Sequence, residues 1–175
     1  MLNEKIYIFD DIIDIDLQEE IKNVLVSDYE YRNHPFPWYY VEDITLSFDD
    51  PNSQRRPGFT HEYVLYEGKE KVTGKQLTRF HNMFLPILKN ACMKMEIKDI
   101  NVLQGRSFLQ LPLNLKDRSI DAPHVDADID HLVVLYYVID SDGATVIYKN
   151  KFEGYDNVPK IKELKELKRV APKAG

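Results

Sequence analysis

The chain has 175 residues, enough for one domain with a sizeable core, and its content of 43% apolar and 30% charged residues is that of an ordinary globular protein. The formal charge of −6 at pH 7 argues against a sequence-independent nucleic-acid binder, which needs a basic field over its docking face. A single cysteine, Cys92, excludes an internal disulfide, and the N-terminus lacks the basic and apolar regions of a signal peptide. No apolar run is long enough to span a bilayer, so we expect a cytoplasmic protein without a membrane partner.

The first half of the chain has a mixed helical and extended pattern. Residues 6–13 fit a short strand or an extended lead-in, and residues 14–26 fit a first helix with Asp16 as its N-cap. A strand is predicted at 63–66. Residues 76–95 carry apolar side chains at helical spacing and predict a second helix, which we expect to lie along a sheet.

In the second half the apolar pattern becomes extended. Strands are predicted within 101–113, over 132–139 and over 144–148. The last two are joined by Asp140-Ser141-Asp142-Gly143, which predicts a hairpin turn because its glycine can adopt positive φ. Residues 158–170 are ambiguous, because Ile161, Leu164 and Leu167 fit a short helix, while 167–171 could equally be an extended strand before the turn at Pro172.

The segment Pro123-His124-Val125-Asp126 lies just before the predicted strand at 132–139. In extended chain, residues two apart point to the same side, so the His124 imidazole and the Asp126 carboxylate can converge on one ion. One histidine and one carboxylate are two of the three ligands in the facial triad of non-heme Fe(II) oxygenases, and the remaining ligand is another His. A His-x-Asp tripeptide is short enough to arise by chance, so the surrounding sequence decides its meaning.

The surrounding stretch, APHVDADIDHLVVLYYVIDSDGATVIYKNK, resembles the metal-binding half of the iron(II)- and 2-oxoglutarate-dependent oxygenases of the prolyl-4-hydroxylase-like group, which phages and other microbes often encode. The resemblance covers about 101–175 and extends more loosely to the preceding helix and to 36–40. It implies an α+β fold with a double-stranded β-helix (jelly-roll) core, N-terminal helices packed on one sheet, and incomplete C-terminal strands. The expected organisation is a single oxygenase-like domain over 1–175, with a support region at 1–98 and a partial jelly-roll core at 99–175.

The resemblance implies roles for individual residues. His124 and Asp126 match the family's first ligand motif and would bind Fe(II). Tyr137 matches a tyrosine that hydrogen-bonds the distal carboxylate of 2-oxoglutarate, and strand parity allows only one of Tyr136 and Tyr137 to face the barrel interior. Gln110 lies where some relatives have another cosubstrate-binding tyrosine and is a weak substitute for it.

The implied activity is hydroxylation of a C–H bond with conversion of 2-oxoglutarate to succinate and CO₂, and ascorbate is a further cofactor that the resemblance allows. The substrate stays open between a prolyl or other side chain in a peptide, a nucleobase and a small metabolite. Family members follow a segment like 169–175 with a strand, a distal iron-binding His, and an Arg or Lys that pairs with 2-oxoglutarate. The sequence stops before all three, so we expect a truncated frame or fragment with an unpaired sheet edge and weak or absent turnover.

Other interpretations stay open. A non-catalytic jelly-roll module, either a binding or a structural protein, would keep the fold without the chemistry. The alternating acids of 126–130 resemble a calcium loop, but His131 and Tyr137 stand where an EF-hand needs Gly and Glu. Plain structural roles are predicted for several further features: packing for the aromatic residues of 36–40, solvation or surface pairing for Arg55, Arg56 and Arg106, structural roles for His34, His61, His81 and His131, and a solvated face for 160–169.

Overall fold

The computed structural model describes residues 5–27, 35–44, 56–68, 70–71, 73–111, 123–127, 129–151 and 161–175. Over these ranges the chain forms two α-helices and six strands in antiparallel sheets that do not close into a barrel, which is a mixed α/β fold. No helix in the same ranges is long and apolar enough to cross a membrane. Residues that figure in the predictions but lie outside the described ranges are His34, Arg55, Asp128, 112–113 and 158–160.

Strand β2, Gly58–Leu65, is the centre of a four-stranded antiparallel sheet. Strand β4, Gly105–Gln110, pairs along one edge of β2. Strands β1, Tyr39–Val41, and β3, Lys75–Gln76, pair with the two ends of β2. Strands β1 and β3 must lie along the opposite edge of β2 from β4, because they pair with residues of β2 that also pair with β4. The strand predicted at 63–66 is therefore the C-terminal half of a longer central strand.

A β-bulge interrupts the pairing of β2 with β4. The register shifts between Glu62 and Val64, which leaves Tyr63 as the extra residue. The bulge allows two consecutive side chains, Tyr63 and Val64, to be buried. The Tyr63 ring stacks on Phe84 with centroids 4.7 Å apart, and a Cβ at Gly105 would lie 2.5 Å from that ring. A glycine is therefore needed where β4 passes the tyrosine.

Helix α1 spans Ile15–Val26 and directs its buried side chains, Ile21 among them, into the core. Its N-cap is Asp14, whose Oδ1 accepts a hydrogen bond from the Leu17 N–H at 2.9 Å. The helix is confirmed, but the prediction of Asp16 as its cap is wrong. Asp16 lies in the first turn, where its negative charge still interacts favourably with the helix dipole.

The cap assignment gives a test on stability. Asp14→Ala is expected to lower the free energy of unfolding by about 1 kcal/mol or more, because the Leu17 N–H loses its acceptor. Asp16→Ala is the matched control, since it removes the same charge from the same turn and should cost only about 0.5 kcal/mol. Urea unfolding followed by far-UV circular dichroism measures both. Equal losses in the two variants would contradict the assignment of the cap to Asp14.

Helix α2 spans His81–Lys94, so the prediction that it starts at residue 76 is wrong. Lys75 and Gln76 instead form β3, and the Leu77 N–H donates to the Tyr63 carbonyl at 2.9 Å. Pairing with the sheet thus overrides the helical spacing of the sequence at this point. The buried residues of α2 are Met83, Ile87, Ala91 and Cys92.

The main core lies between the two helices, the lead-in to α1 and the aromatic segment that precedes β1. Residues 6–13 contain no strand and end in the buried Ile12 and Ile13, in agreement with the lead-in interpretation. The prediction that the aromatic residues of 36–40 pack in the core is confirmed for Phe36 and Trp38. The other two aromatic residues of that segment, Tyr39 and Tyr40, are exposed.

His61 is 1% exposed in the middle of β2. Its Nδ1 lies 2.7 Å from the Pro37 carbonyl and its Nε2 lies 3.3 Å from the Thr78 hydroxyl. The ring also lies 4.6 Å from Phe36 and 5.4 Å from Phe80, measured between centroids. Burial lowers the pKa of His61 against the opposing effect of the Pro37 hydrogen bond. The structural role predicted for this histidine is confirmed.

A second, two-stranded antiparallel sheet consists of β5, Thr145–Tyr148, and β6, Glu166–Val170. A 3₁₀ helix, Ile161–Glu163, precedes β6, so the ambiguous C-terminal stretch contains both a helical turn and a strand. The predicted hairpin between 132–139 and 144–148 is wrong, because β5 pairs with β6 and residues 132–139, all described, form no strand.

Residues 132–139 nevertheless keep the two-residue alternation of extended chain. Val134, Tyr136 and Val138 pack against the core cluster, whereas Val133 and Leu135 are each 56% exposed. The predicted parity is confirmed, and the side turned toward the helices is that of Tyr136. This side of the segment packs on the helical core, and the segment's backbone forms no strand that could pair with β5 as a hairpin.

The C-terminal residues contact both this extended segment and the lead-in to α1. The Gly175 N–H donates to the Tyr137 carbonyl at 3.2 Å, and the Ile12 N–H donates to Gly175 O at 3.3 Å. The Ala174 N–H donates to Asp140 Oδ1 at 2.7 Å. These bonds fix the end of the extended segment against the N-terminal part of the fold.

Candidate functional site

The His-x-Asp motif lies beside strand β4. Nη2 of Arg106, on β4, donates to Asp126 Oδ1 at 2.6 Å, and the two side chains are 24% and 32% exposed. A short bond between two charged groups is stronger than one between neutral groups, and partial burial reduces its screening by solvent. The sheet therefore holds the carboxylate of the motif in a defined place.

Arg106 is itself held by neighbouring groups. Its guanidinium lies over the Phe108 ring, 4.7 Å from the centroid, and its backbone carbonyl accepts a hydrogen bond from the Tyr63 hydroxyl at 3.3 Å. Burial raises the pKa of Tyr63 to about 12, so the hydroxyl stays a donor at neutral pH. Arg106 is in an ion pair, which is one of its two predicted roles, but the pair is partly buried rather than fully at the surface.

A pocket of about 160 Å³ opens next to this ion pair, lined by β1, β2 and β4 and by the residues after β1. This volume suits a group the size of a side chain and is below the range of about 300–1,000 Å³ typical of whole drug-sized ligands. Glu62 in the pocket accepts a hydrogen bond from Gln104 Nε2 at 2.9 Å, and Thr60 donates to the Ser107 carbonyl at 3.2 Å. The lining residues are Val41, Asp43, Ile44, Thr60, Glu62, Arg106 and Phe108.

The metal-binding prediction concerns His124, which is exposed, and Asp126, which is partly buried. In the described part of the chain no group of three or more His, Cys, Asp and Glu side chains is placed to hold a metal ion. An imidazole nitrogen and a carboxylate oxygen are the right donor types for Fe(II). The two residues therefore have suitable donor types, but the described part of the chain does not assemble a complete metal site around them.

The residues predicted to bind 2-oxoglutarate lie in two places. Gln110 is the exposed last residue of β4, and it shares a face of that strand with Arg106 and Phe108 by strand parity. The Tyr137 hydroxyl donates to Thr145 Oγ1 at 2.7 Å, which connects it to the second sheet. Gln110 therefore lies on the strand face that carries Arg106, whereas Tyr137 contacts β5.

Sequence reasoning missed Arg106 as a partner of the motif. The sequence placed Arg106 on a predicted strand, but no local pattern connects that strand with Asp126, 20 residues later. His131 was assigned a structural role, and its Nδ1 lies 2.6 Å from the carbonyl of Ile129, two residues earlier. Its contact is thus local to the loop.

Comparison of this chain with protein-family models, with curated proteins and with solved structures gives no match. The resemblance to the oxygenases therefore stays a prediction from the sequence. The geometric basis for a function is the motif, its arginine partner and the adjacent pocket.

Proposed function

We propose that this chain is a domain of an Fe(II)- and 2-oxoglutarate-dependent oxygenase with a jelly-roll type of core, and that His124 and Asp126 are two of its metal ligands. The observation that carries the proposal is the ion pair between Arg106 and Asp126. It holds the motif's carboxylate against strand β4, and a carboxylate fixed by a neighbouring group is better prepared to bind a metal than a freely moving one.

In this proposal each part of the site has a chemical role. Bound Fe(II) with 2-oxoglutarate and O₂ supplies the oxidation of a substrate C–H to C–OH, with release of succinate and CO₂. His124 and Asp126 would hold the metal, and Gln110 and Tyr137 are the residues that the resemblance assigns to 2-oxoglutarate. Phe108 and the other pocket residues receive a peptide side chain or a comparable part of a small molecule. Ascorbate is a proposed further cofactor.

Metal binding tests the proposal without requiring turnover. Mn(II) with 2-oxoglutarate is expected to raise the melting temperature of the full chain, because a ligand that binds only the folded state stabilises it. His124→Ala should abolish most of the shift, whereas the matched control His131→Ala should retain it. Differential scanning fluorimetry and electron paramagnetic resonance of free Mn(II) measure stability and binding separately. An equal loss in both variants would contradict the assignment of His124 as a ligand.

A second candidate function is a non-catalytic binding or structural module of the same fold. It is favoured by one observation, that the described residues include no group of three or more His, Cys, Asp and Glu side chains placed to hold a metal. A chain that neither binds Mn(II) nor forms succinate from 2-oxoglutarate would support this module. A chain that binds Mn(II) through His124 would support the oxygenase, for which we expect weak turnover.

A further inference from the structure

We infer that the pocket beside β2 and β4 binds a primary alkylammonium group, whose charge is received by the Glu62 carboxylate and whose aliphatic stem packs on the apolar walls. The group belongs either to a lysyl side chain of a peptide or to a small free amine, which share this chemistry. A volume of about 160 Å³ suits a group of that size. The inference goes beyond the proposed function and needs no metal, so it holds for either candidate function.

Glu62 is a carboxylate without a counter-ion in the described part of the chain. It lies directly opposite Arg106 in the ladder between β2 and β4, where an ion pair across the strands would be the simplest arrangement. Arg106 instead donates to Asp126 at 2.6 Å, and Glu62 Oε1 accepts a hydrogen bond from Gln104 Nε2 at 2.9 Å. A neutral amide therefore holds the Glu62 carboxylate in place and leaves its charge uncompensated.

The charges that line the pocket favour a cation over an anion. The charge of Arg106 is already paired with Asp126, so an anion would compete with that carboxylate and would also be repelled by Glu62. A cation meets Glu62 directly, and the partial burial of this residue reduces screening by solvent. Asp43 adds a second carboxylate to the lining, but its Oδ1 already accepts from the Arg56 N–H at 3.4 Å. We therefore assign the ammonium to Glu62.

The remaining contacts favour an ammonium over a guanidinium. Val41, Ile44 and Phe108 supply apolar surface on which the methylene groups of a stem can pack. Gln104 occupies Oε1 of Glu62, which leaves Oε2 for a ligand. A guanidinium binds a carboxylate most strongly through two parallel hydrogen bonds to both oxygens, whereas an ammonium is a compact charge that one oxygen can receive.

Titration of the full chain with Nα-acetyl-lysine methylamide at pH 7.5, followed in ¹⁵N–¹H correlation spectra, tests the inference. The amide signals of Thr60, Glu62 and Arg106 are expected to shift. Acetylation of the ligand's ε-amine should weaken binding about 10-fold or more, because a hydrogen bond between charged groups is lost. The arginine counterpart should also bind more weakly. n-Pentylamine distinguishes the two sources: weaker binding than the lysine derivative indicates a peptide side chain, and equal or tighter binding indicates a free amine.

Glu62→Gln removes the charge and keeps an oxygen that can accept from Gln104, and it should weaken binding of the lysine derivative about 10-fold or more. The matched control Glu67→Gln removes the same charge from an exposed position after β2 and should bind like the wild type. The comparison of charged and acetylated ligands uses the wild-type chain, so the inference stays testable if Glu62→Gln does not fold.

Three results would each overturn the alkylammonium site. They are the absence of shifts at the pocket, equal binding of the charged and acetylated ligands, and unchanged affinity in folded Glu62→Gln. Equal binding of the arginine counterpart would overturn the choice of an ammonium. None of these results bears on Mn(II) binding through His124, which still decides the proposed function.

Discussion

Gly74→Ala is expected to destabilise the fold by about 4 kcal/mol or more, because the added methyl group would overlap a backbone atom that cannot move without displacing the chain. A Cβ at this position would lie 1.9 Å from the Leu103 carbonyl oxygen and 2.7 Å from Val64 Cγ1. The Gly74 N–H also donates to the Val102 carbonyl at 2.8 Å, which ties the two backbone segments together. Relief requires backbone displacement next to β3, and urea unfolding followed by Trp38 fluorescence measures the loss.

The matched control is Gly143→Ala. The nearest atom to a Cβ there is Ser141 Oγ at 3.8 Å, an ordinary van der Waals contact. We expect a change within about 0.5 kcal/mol, as for other surface substitutions. Similar unfolding midpoints for Gly74→Ala and Gly143→Ala would show that the approach of Gly74 to Leu103 does not constrain the fold.

His61→Phe is expected to have the second large effect. It should lower the free energy of unfolding at neutral pH, and it should also change how that free energy depends on pH. The substitution keeps an aromatic ring beside Phe36 and Phe80, but it leaves the Pro37 carbonyl and the Thr78 hydroxyl without their partner. Both groups belong to partly buried residues, so water can reach them in part, and we expect a total loss of about 1–3 kcal/mol at pH 7.5.

The pH dependence follows from the direction of the shift. Burial lowers the pKa of His61 in the folded protein, so the unfolded chain binds this proton more readily. The contribution of neutral His61 to the free energy of unfolding is complete above about pH 6.5, which is the ordinary pKa of histidine. It decreases as the pH falls from there toward the lowered pKa of the folded protein. His61→Phe should therefore flatten the decline in urea midpoint between pH 7.5 and 5.5.

A control for the pH experiment is His81→Gln. Burial also lowers the pKa of His81, so this histidine contributes to the same decline in stability at low pH. The His81→Gln variant measures the contribution of His81 to that decline. The difference between the two variants isolates His61. A decline that His61→Phe leaves unaltered would contradict a buried neutral imidazole at this position.

Local sequence signals predicted the helices better than the strands. The apolar spacing of α1 and α2 is carried by residues only three or four positions apart, so it can be read from the sequence directly. The errors occurred where the structure depends on residues far apart in the sequence. Pairing of β3 with β2 shortens the predicted α2 at its N-terminus. Strand β5 pairs with β6 and not with 132–139, which is nearer in the sequence. Strand partners depend on long-range packing that periodicity does not encode.

The candidate site was predictable to a similar extent. The proposal that His124 and Asp126 bind a metal comes from their residue types and their spacing of two, together with the resemblance of the surrounding sequence. The ion pair with Arg106 does not, because it joins positions 20 residues apart through the register of β4. Tyr136 and Tyr137 show the same limit, since alternation predicts that they face opposite sides but not which side meets the helices.

Strand β2 alternates residues that are buried in the fold with residues that line the pocket. His61 and Tyr63 are buried, whereas their neighbours Thr60 and Glu62 line the pocket. Because adjacent side chains of a strand face opposite ways, the pocket residues can diverge during evolution at little cost to folding. Saturation mutagenesis of β2 should accordingly give a tolerant position beside each intolerant one, and new ligand preferences would be sought first at Thr60 and Glu62.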